Sequence, residues 1–299
     1  MNQADCANPD LTQAGIKHVP ARKTSLAKRL NLLAIRVILI AVCILTLFPA
    51  IWMISASFSA GTSLYSGGII PAKTTLANYI NLFRGGEFLL WMKNSLIICT
   101  ASSALSLLLA TSMAFAFSRF QFRGRRFGLL SLVLIQMFPA IMSIVAIFRL
   151  LQIIHLLDSH LGLILVYSGM GIGFSTYLLK GYIDSLPREL DESATIDGAT
   201  NWQIFTKIIL PLSSPMLAVV FLFNFIGFFQ EYLIASVVLF KPVLRPIALG
   251  LRFYINGNYA QNWTGFAAAS IIASIPILII FFSLQRFLVE GLTKGALKG

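Results

Sequence analysis

This chain of 299 residues has little charge for its length. Only 11% of its residues are Asp, Glu, Lys or Arg and 57% are hydrophobic, whereas soluble domains carry about 25% charged residues. Acidic residues are the scarcer charged type, with 11 against 23 basic ones. An ordinary soluble domain is therefore excluded. The basic residues flank apolar segments and form no stripe, which excludes nucleic acid as a partner.

Cysteine and the motifs of catalysis are also sparse. Cys6, Cys43 and Cys99 are the three cysteines, and their scatter gives neither a disulfide framework nor metal-ligand spacing. The chain lacks the Gly-x-x-x-x-Gly-Lys-Ser/Thr phosphate loop that would cradle a nucleotide. We expect no catalytic residue, no metal and no cofactor bound by this chain, and we expect it not to be an enzyme.

Long apolar segments are abundant. Six of them reach the ~18–20 residues that a helix needs to cross a bilayer, and they lie at residues 34–55, 95–118, 127–149, 162–180, 211–230 and 266–285. A membrane barrel would instead show alternating strands of about 10 residues. The sequence predicts an all-α integral membrane protein with six transmembrane helices.

The distribution of Lys and Arg predicts the orientation of these helices. With the N-terminus inside, sixteen basic residues flank the inner ends of the spans and seven flank the outer ends, so the positive-inside rule places both termini in the cytoplasm. The first apolar segment is longer than the 7–15 residues of a signal-peptide core, which predicts an uncleaved anchor.

The cytoplasmic segment between the fourth and fifth spans has an unusual charge. Five of the eleven acidic residues fall within residues 184–197. Helices that rest on a membrane surface favour Lys and Arg on their polar face, so the acidic charge indicates a protein partner rather than lipid.

The same segment predicts a helical hairpin at residues 184–215. Leu186, Leu190 and Ala194 recur every four residues and would share one face. Gly198 is suited to end this first helix, and Thr200 with Gln203 forms a capping box for a second one.

Three separated motifs resemble one family. Glu192-Ser193-Ala194-Thr195-Ile196-Asp197-Gly198-Ala199, followed by Leu210-Pro211 and Pro215, resembles the "EAA" loop of ABC importer permeases, although Ser193 stands where the pattern prefers alanine. Trp91-Met92-Lys93-Asn94-Ser95 resembles the start of the core in carbohydrate importers. The C-terminus from Gly291 to Gly299 resembles the ending of maltose-type permeases. The resemblance spans about residues 30–299.

This resemblance implies a MetI-like permease fold. The expected divisions are a cytoplasmic tail at 1–32, a peripheral first helix with an extracytoplasmic loop at 33–89, the core at 90–285 and a cytoplasmic tail at 286–299. The implied location is the cytoplasmic (inner) membrane of a bacterium or archaeon, in contact with its lipid.

The implied function is ATP-driven import of a sugar, most of all maltose or maltodextrin, by alternating access. The implied partners are a second permease subunit, a dimer of ATPase subunits that bind ATP and Mg, and an extracytoplasmic sugar-binding protein. In the maltose-type pair the other permease holds most of the sugar, so no sugar ligand is assigned to this chain.

The resemblance also implies roles for particular residues. Contact with the ATPase is expected for the loop residues Glu192, Ser193, Ala194, Asp197, Gly198 and Ala199, and for the terminal Lys298 and Gly299. The tip of the long outer loop at 241–265, formed by Asn256, Gly257, Asn258 and Tyr259, is expected to reach into the binding protein.

Four residues inside the spans are candidates for the transport pathway: Met137, Pro139, Asn224 and Glu231. Pro139 would kink the third span, either to line a pore or as a purely structural bend. Glu231 is an ionisable group close to the membrane interior, and such groups are by default candidates for a role in transport. Alternatively, it is an interfacial carboxylate that touches water or Arg245. The glycines of the fourth span favour helix packing.

Other functions stay open. One is the import of another substrate, such as galacto-oligosaccharides or polyols. Another is ion-coupled secondary transport, which usually needs several intramembrane ionisable residues and inverted repeats; Glu231 is the sole candidate and no repeat is detectable. A membrane scaffold without transport is a third.

Overall fold

The structure, a computed structural model, describes residues 26–63, 71–256 and 261–296. In these ranges the chain is helical, and the one β-type pairing found there is an isolated bridge between Ser59 and Thr74. The α-helices are α1 Leu26–Ser57, α2 Ala77–Arg84, α3 Glu87–Arg119, α4 Arg125–Gln136, α5 Ala140–Ile153, α6 His160–Asp184, α7 Glu189–Ile196, α8 Asn201–Ile204, α9 Leu210–Leu212, α10 Ser214–Gln230, α11 Leu233–Val238, α12 Ile247–Leu251 and α13 Trp263–Ala296.

The apolar helices confirm the predicted class. In the part of the chain that the structure describes, four unbroken helices are long and apolar enough to cross a membrane: Leu30–Ser57, Glu87–Arg119, His160–Asp184 and Trp263–Phe287. Two bent pairs meet the same test, one formed by α4 and α5 and the other by the segment 201–212 with α10. When each pair counts as one span, the described residues contain six, which is the predicted number.

The third span is broken rather than kinked. A single helix over 127–149 was expected, but α4 and α5 meet at 104°. Met137 and Phe138 close the end of α4 through hydrogen bonds to the carbonyls of Leu134 and Ile135. Pro139 follows in an extended conformation, with φ −60° and ψ 120°. Because proline has no N–H and disfavours a helical residue before it, it starts a new helix instead of bending the old one.

The chain divides into two compact units, Met1–Ile51 and Trp52–Gly299. In the first unit, the large apolar side chains of α1 from Leu30 onward are exposed, as lipid-facing side chains are. The predicted divisions at residues 32, 89 and 285 stay predictions.

The second unit is built around α3 and α6, which pack along each other. Helix α10 packs on both and on α13, and α4 packs on α6. One core cluster includes Phe88, Trp91, Tyr167 and Phe225. A second cluster includes Phe115, Ile183, Phe205 and Ile209 and lies where α3 and α6 end, beside the hairpin.

Segment 241–256 is more ordered than the long loop we expected. It contains 3₁₀ turns at Pro242–Leu244 and Arg252–Tyr254 around α12. The buried Asn94 holds it by donating from Nδ2 to the carbonyls of Val243 at 2.8 Å and Arg245 at 3.0 Å. The N–H of Ile247 donates to Ser95 Oγ at 2.7 Å. The motif at residues 91–95 therefore fastens segment 241–256 to α3.

Trp91 of that motif packs against α12. A Cβ added at Gly250 would lie 2.2 Å from the Trp91 indole, so only glycine allows this approach. The indole also stacks on Phe253 at 6.3 Å between ring centroids.

Candidate functional site

The hairpin at residues 184–215 has the predicted helix–turn–helix form. Gly198 follows the end of α7 with φ +82°. The N–H groups of Gly198 and Ala199 donate to the carbonyls of Thr195 and Ala194, which is the Schellman arrangement that terminates a helix. Thr200 and Gln203 then form the predicted capping box. Local sequence thus determines both ends of the turn.

The second leg of the hairpin runs further than predicted. The predicted fifth span begins at residue 211, but the second leg stays helical through Leu212 and the 75° bend follows at Ser213. A π-helical turn at Phe205–Ile209 precedes Pro211. A proline cannot donate a backbone hydrogen bond and its ring crowds the preceding turn, and the wider π turn accommodates both effects.

Apolar packing anchors the second leg. Ile204, Phe205 and Ile209 are buried, and the Phe205 ring lies 5.0 Å from that of Phe115 on α3. Ala194 and Ala199 are half-buried and pack against the same cluster. These two predicted coupling residues therefore face inward.

An ion pair fastens the first leg to α3. Nε of Arg119, the last residue of α3, lies 2.6 Å from Oδ2 of Asp191, and Nη2 of Arg119 donates to the carbonyl of Leu186 at 3.3 Å. Burial raises the pKa of the Asp191 carboxyl, and the nearby charge of Arg119 opposes that rise without cancelling it. The sequence analysis missed this pair because its members are 72 positions apart and no local pattern joins them.

The outer face of the hairpin is exposed. Glu192, Ser193, Asp197 and Gly198 lie on it. Two large apolar side chains do so as well, since Ile196 is 86% and Trp202 is 69% exposed. Leu190 is also exposed, so in the predicted apolar stripe only Leu186 and Ala194 pack against the core. Exposed apolar side chains beside carboxylates are typical of a surface that binds protein.

A cavity of about 1200 Å³ opens between α4, α6 and α10. Asn224 and Glu231 line it, as do Gln136 and Phe138 on either side of the predicted Met137. Met137 and Pro139 are not among its lining residues. The described residues around it include aromatic, methionine and glycine residues and one carboxylate, but no Lys, Arg or His. This composition suits an uncharged ligand.

Asn224 and Glu231, the two polar candidates for the transport pathway, are both hydrogen-bonded to other side chains of this chain. Asn224 contacts Ser175 and Ser106, with Nδ2 donating to Ser175 Oγ at 3.0 Å. Gly171 leaves room for this network, because a Cβ there would lie 2.5 Å from Ser106 Oγ. Gly171 and Gly173 thus serve packing, as predicted, because a Cβ at either would lie 2.5 Å from a neighbouring side chain, whereas a Cβ at Gly169 would meet nothing within 4 Å. All three glycines also border the cavity.

Glu231 joins α6 to α11. Its Oε2 accepts from the Tyr167 hydroxyl at 2.6 Å, and its carboxylate accepts the N–H groups of Ile234 and Ala235 at the start of α11. In the alternative interpretation Glu231 touches water or Arg245; among the described contacts the Arg245 guanidinium instead lies 4.4 Å from the Phe253 ring centroid. Helix α10 ends at Gln230, and the separate helix α11 begins at Leu233.

The other predicted site residues are only partly described. Asn256 is exposed and accepts a hydrogen bond from Arg252 Nε at 3.2 Å. Gly257, Asn258 and Tyr259, and the terminal Lys298 and Gly299, lie outside the described residues. Their predicted roles stay predictions.

Comparison with known proteins identifies similar chains. Residues 102–294 match the family profile "Binding-protein-dependent transport system inner membrane component". The galactooligosaccharides transport system permease protein GanQ of Bacillus subtilis is 42% identical over 273 residues, covering 90% of this chain and 96% of that one. The maltodextrin transport system permease protein MdxG of the same organism is 36% identical over 275 residues, covering 92% and 99%.

A solved structure has the same fold. It is a chain of a bacterial ABC transporter involved in the import of the acidic polysaccharide alginate, with a TM-score of 0.77 and 24% identity over 88% of this chain and 98% of that chain. At this identity the likeness shows the fold.

Proposed function

Because this chain belongs to the family of binding-protein-dependent transport system inner membrane components, we propose that it is a transmembrane permease subunit of an ATP-driven sugar importer. It works in the cytoplasmic membrane and forms half of a pathway with a second permease subunit. The observation that carries this proposal is the acidic hairpin, whose exposed face includes the carboxylate of Glu192 and the large apolar side chains of Ile196 and Trp202.

ATP hydrolysis belongs to separate subunits that bind ATP and Mg, since this chain lacks a phosphate loop. In our proposal the hairpin docks on the ATPase through Glu192, Ser193, Asp197 and the exposed apolar side chains. Gly198 supplies the turn, while Ala194 and Ala199 fasten it to the core. Closure of the ATPase dimer moves the hairpin and switches the cavity between outward and inward access.

The proposed orientation places the hairpin and both termini in the cytoplasm. The surplus of basic residues at the inner ends of the spans supports it. The outer segment with Asn256 then faces the extracytoplasmic sugar-binding protein, from which Asn256–Tyr259 help to release the sugar. The terminal Lys298 and Gly299 reach the ATPase side.

The proposed substrate is a neutral oligosaccharide, either a maltodextrin or a galacto-oligosaccharide. GanQ and MdxG carry these two sugar classes in their names, and this chain is 42% and 36% identical to them. The cavity supports a neutral sugar, because Glu231 would repel an acidic one and no described lining residue is basic. Aromatic side chains around it suit the apolar faces of sugar rings.

The rival function, ion-coupled transport, has less support. A carboxylate that shuttles an ion or proton has to change partners. Glu231 instead accepts three hydrogen bonds that fix α6 and α11, which favours a structural role.

Uptake by the reconstituted complex tests the proposal. Proteoliposomes would contain this chain, its second permease and the ATPase subunits, with the binding protein outside and ATP inside. Labelled maltotriose, galactotriose and an alginate trisaccharide would be offered in turn. We expect ATP-dependent uptake of a neutral sugar that survives a protonophore, and none of the alginate sugar. Uptake without ATPase subunits that a protonophore abolishes would establish the rival.

A further inference from the structure

The two legs of the cytoplasmic hairpin are attached to the membrane helices in different ways. The second leg buries Ile204 and Ile209 in the core. The first leg, α7, has no buried residue, and its large apolar side chains Leu190 and Ile196 are exposed. Its position therefore depends on polar contacts and on the packing of the small Ala194.

Those polar contacts converge on the end of α3. The side chains of Arg119 and Asp191 are only 8% and 17% exposed. Arg119 also donates to the carbonyl of Leu186, just before α7 begins. The neighbouring Ser118 donates from Oγ to Asp184 Oδ1 at 2.6 Å, which joins the ends of α3 and α6. The 33-residue α3 thus ends in a junction that contacts both α6 and the hairpin.

The pair is poorly suited to stabilising the fold. Burying an ion pair removes water from both charges, and their mutual attraction only partly offsets the free-energy cost. A buried ion pair is therefore weak evidence for stability. The raised pKa of Asp191 has the same cause. Its geometry has another consequence: the ion pair fixes one face of α7 against α3, and thereby how the exposed Glu192 and Ile196 are presented.

We propose that Arg119 and Asp191 are positioning residues that transmit movement between the hairpin and α3. This inference rests on the proposed function, because it concerns the step that follows docking on the ATPase. The turn at Gly198 and the buried second leg keep the hairpin folded without the pair, and the exposed face still binds the ATPase. What is lost without the pair is the fixed orientation of α7 relative to α3.

The test uses the full importer with Asp191→Asn, Arg119→Gln and the double variant. Glu189→Gln is the matched control, since Glu189 is an exposed acid on the same helix. Three quantities would be measured in proteoliposomes: ATPase subunits retained, ATP hydrolysed with and without sugar-loaded binding protein, and labelled sugar taken up. The sugar is maltotriose, or galactotriose if only that is transported by the wild-type complex.

We expect all variants to retain the ATPase subunits. In Asp191→Asn, sugar uptake per ATP hydrolysed should fall by about 5- to 150-fold, the range typical of coupling between sites. The double variant should be no worse than either single one, because it leaves no unpaired buried charge. Asp191→Glu should recover part of the coupling, and Glu189→Gln should behave as wild type.

Two results would overturn the inference while leaving the proposed function intact. One is that Asp191→Asn takes up as much sugar per ATP hydrolysed as Glu189→Gln does. The other is loss of the ATPase subunits from Asp191→Asn, which would make the pair part of the docking surface. Failure of the wild-type complex to take up sugar with ATP would instead contradict the proposed function itself.

Discussion

Replacing Asn94 by alanine should loosen segment 241–256 without unfolding the protein. Asn94 is buried, and its amide gives two hydrogen bonds to the carbonyls of Val243 and Arg245. A typical hydrogen bond contributes about 0.5–1.5 kcal/mol, so their loss should cost about 1–3 kcal/mol. Since 1.4 kcal/mol is a factor of ten, opening of residues 242–251 should become about 5- to 150-fold more frequent.

Hydrogen exchange measured by mass spectrometry on the protein in lipid nanodiscs would test this. Amides of 242–251 should lose protection in Asn94→Ala, whereas those in the middle of α6 should keep it. Lys93→Ala is the matched control, because Lys93 is the exposed neighbour on the same helix. Equal protection of 242–251 in the two variants would refute the role assigned to Asn94.

Three further predictions concern separate regions. Gly198→Pro and Glu192→Lys should leave the permease in the membrane but abolish uptake, because proline cannot adopt φ +82° and lysine reverses a docking charge. Glu189→Gln is the control, and normal uptake in both variants would contradict the docking role. Deletion of Asn256–Tyr259 should leave the complex intact and slow sugar release from the docked binding protein; disassembly would make the loop structural. Burial raises the pKa of Asp158, but hydrogen bonds from the N–H groups of Phe240 and Lys241 and the charge of Lys241 outweigh that effect and lower the pKa overall. The link between Asp158 and the segment after α11 should therefore hold above about pH 4. It should weaken as the pH falls through the lowered pKa. Asp158→Asn should remove that dependence in a cysteine-accessibility assay at residue 240, and an unchanged pH profile would contradict it.

Features that depend on neighbouring residues could be predicted from the sequence. The apolar segments revealed the spans because every peptide group within lipid must be paired inside a helix. Gly198, Thr200 and Gln203 revealed the hairpin, since helix caps are built from residues within one turn of each other.

Features that depend on distant pairs could not be predicted. Arg119 and Asp191 meet only because α3 and α6 end side by side, and Asn94 finds its two carbonyls about 150 positions away. The same holds for Tyr167 and Glu231. Pro139 signalled a disturbance in the third span, but the 104° break also needs two preceding residues to leave the helix.

Photo-crosslinking from the exposed face of the hairpin tests the central claim most directly. A photoreactive amino acid would replace Ser193, or Asn256 as the comparison, in the assembled importer. We predict that Ser193 crosslinks to an ATPase subunit and Asn256 does not, with Asn256 reaching the sugar-binding protein instead. Failure of Ser193 to crosslink to the ATPase in a complex that transports sugar, or crosslinking of Asn256 to the ATPase, would contradict the account.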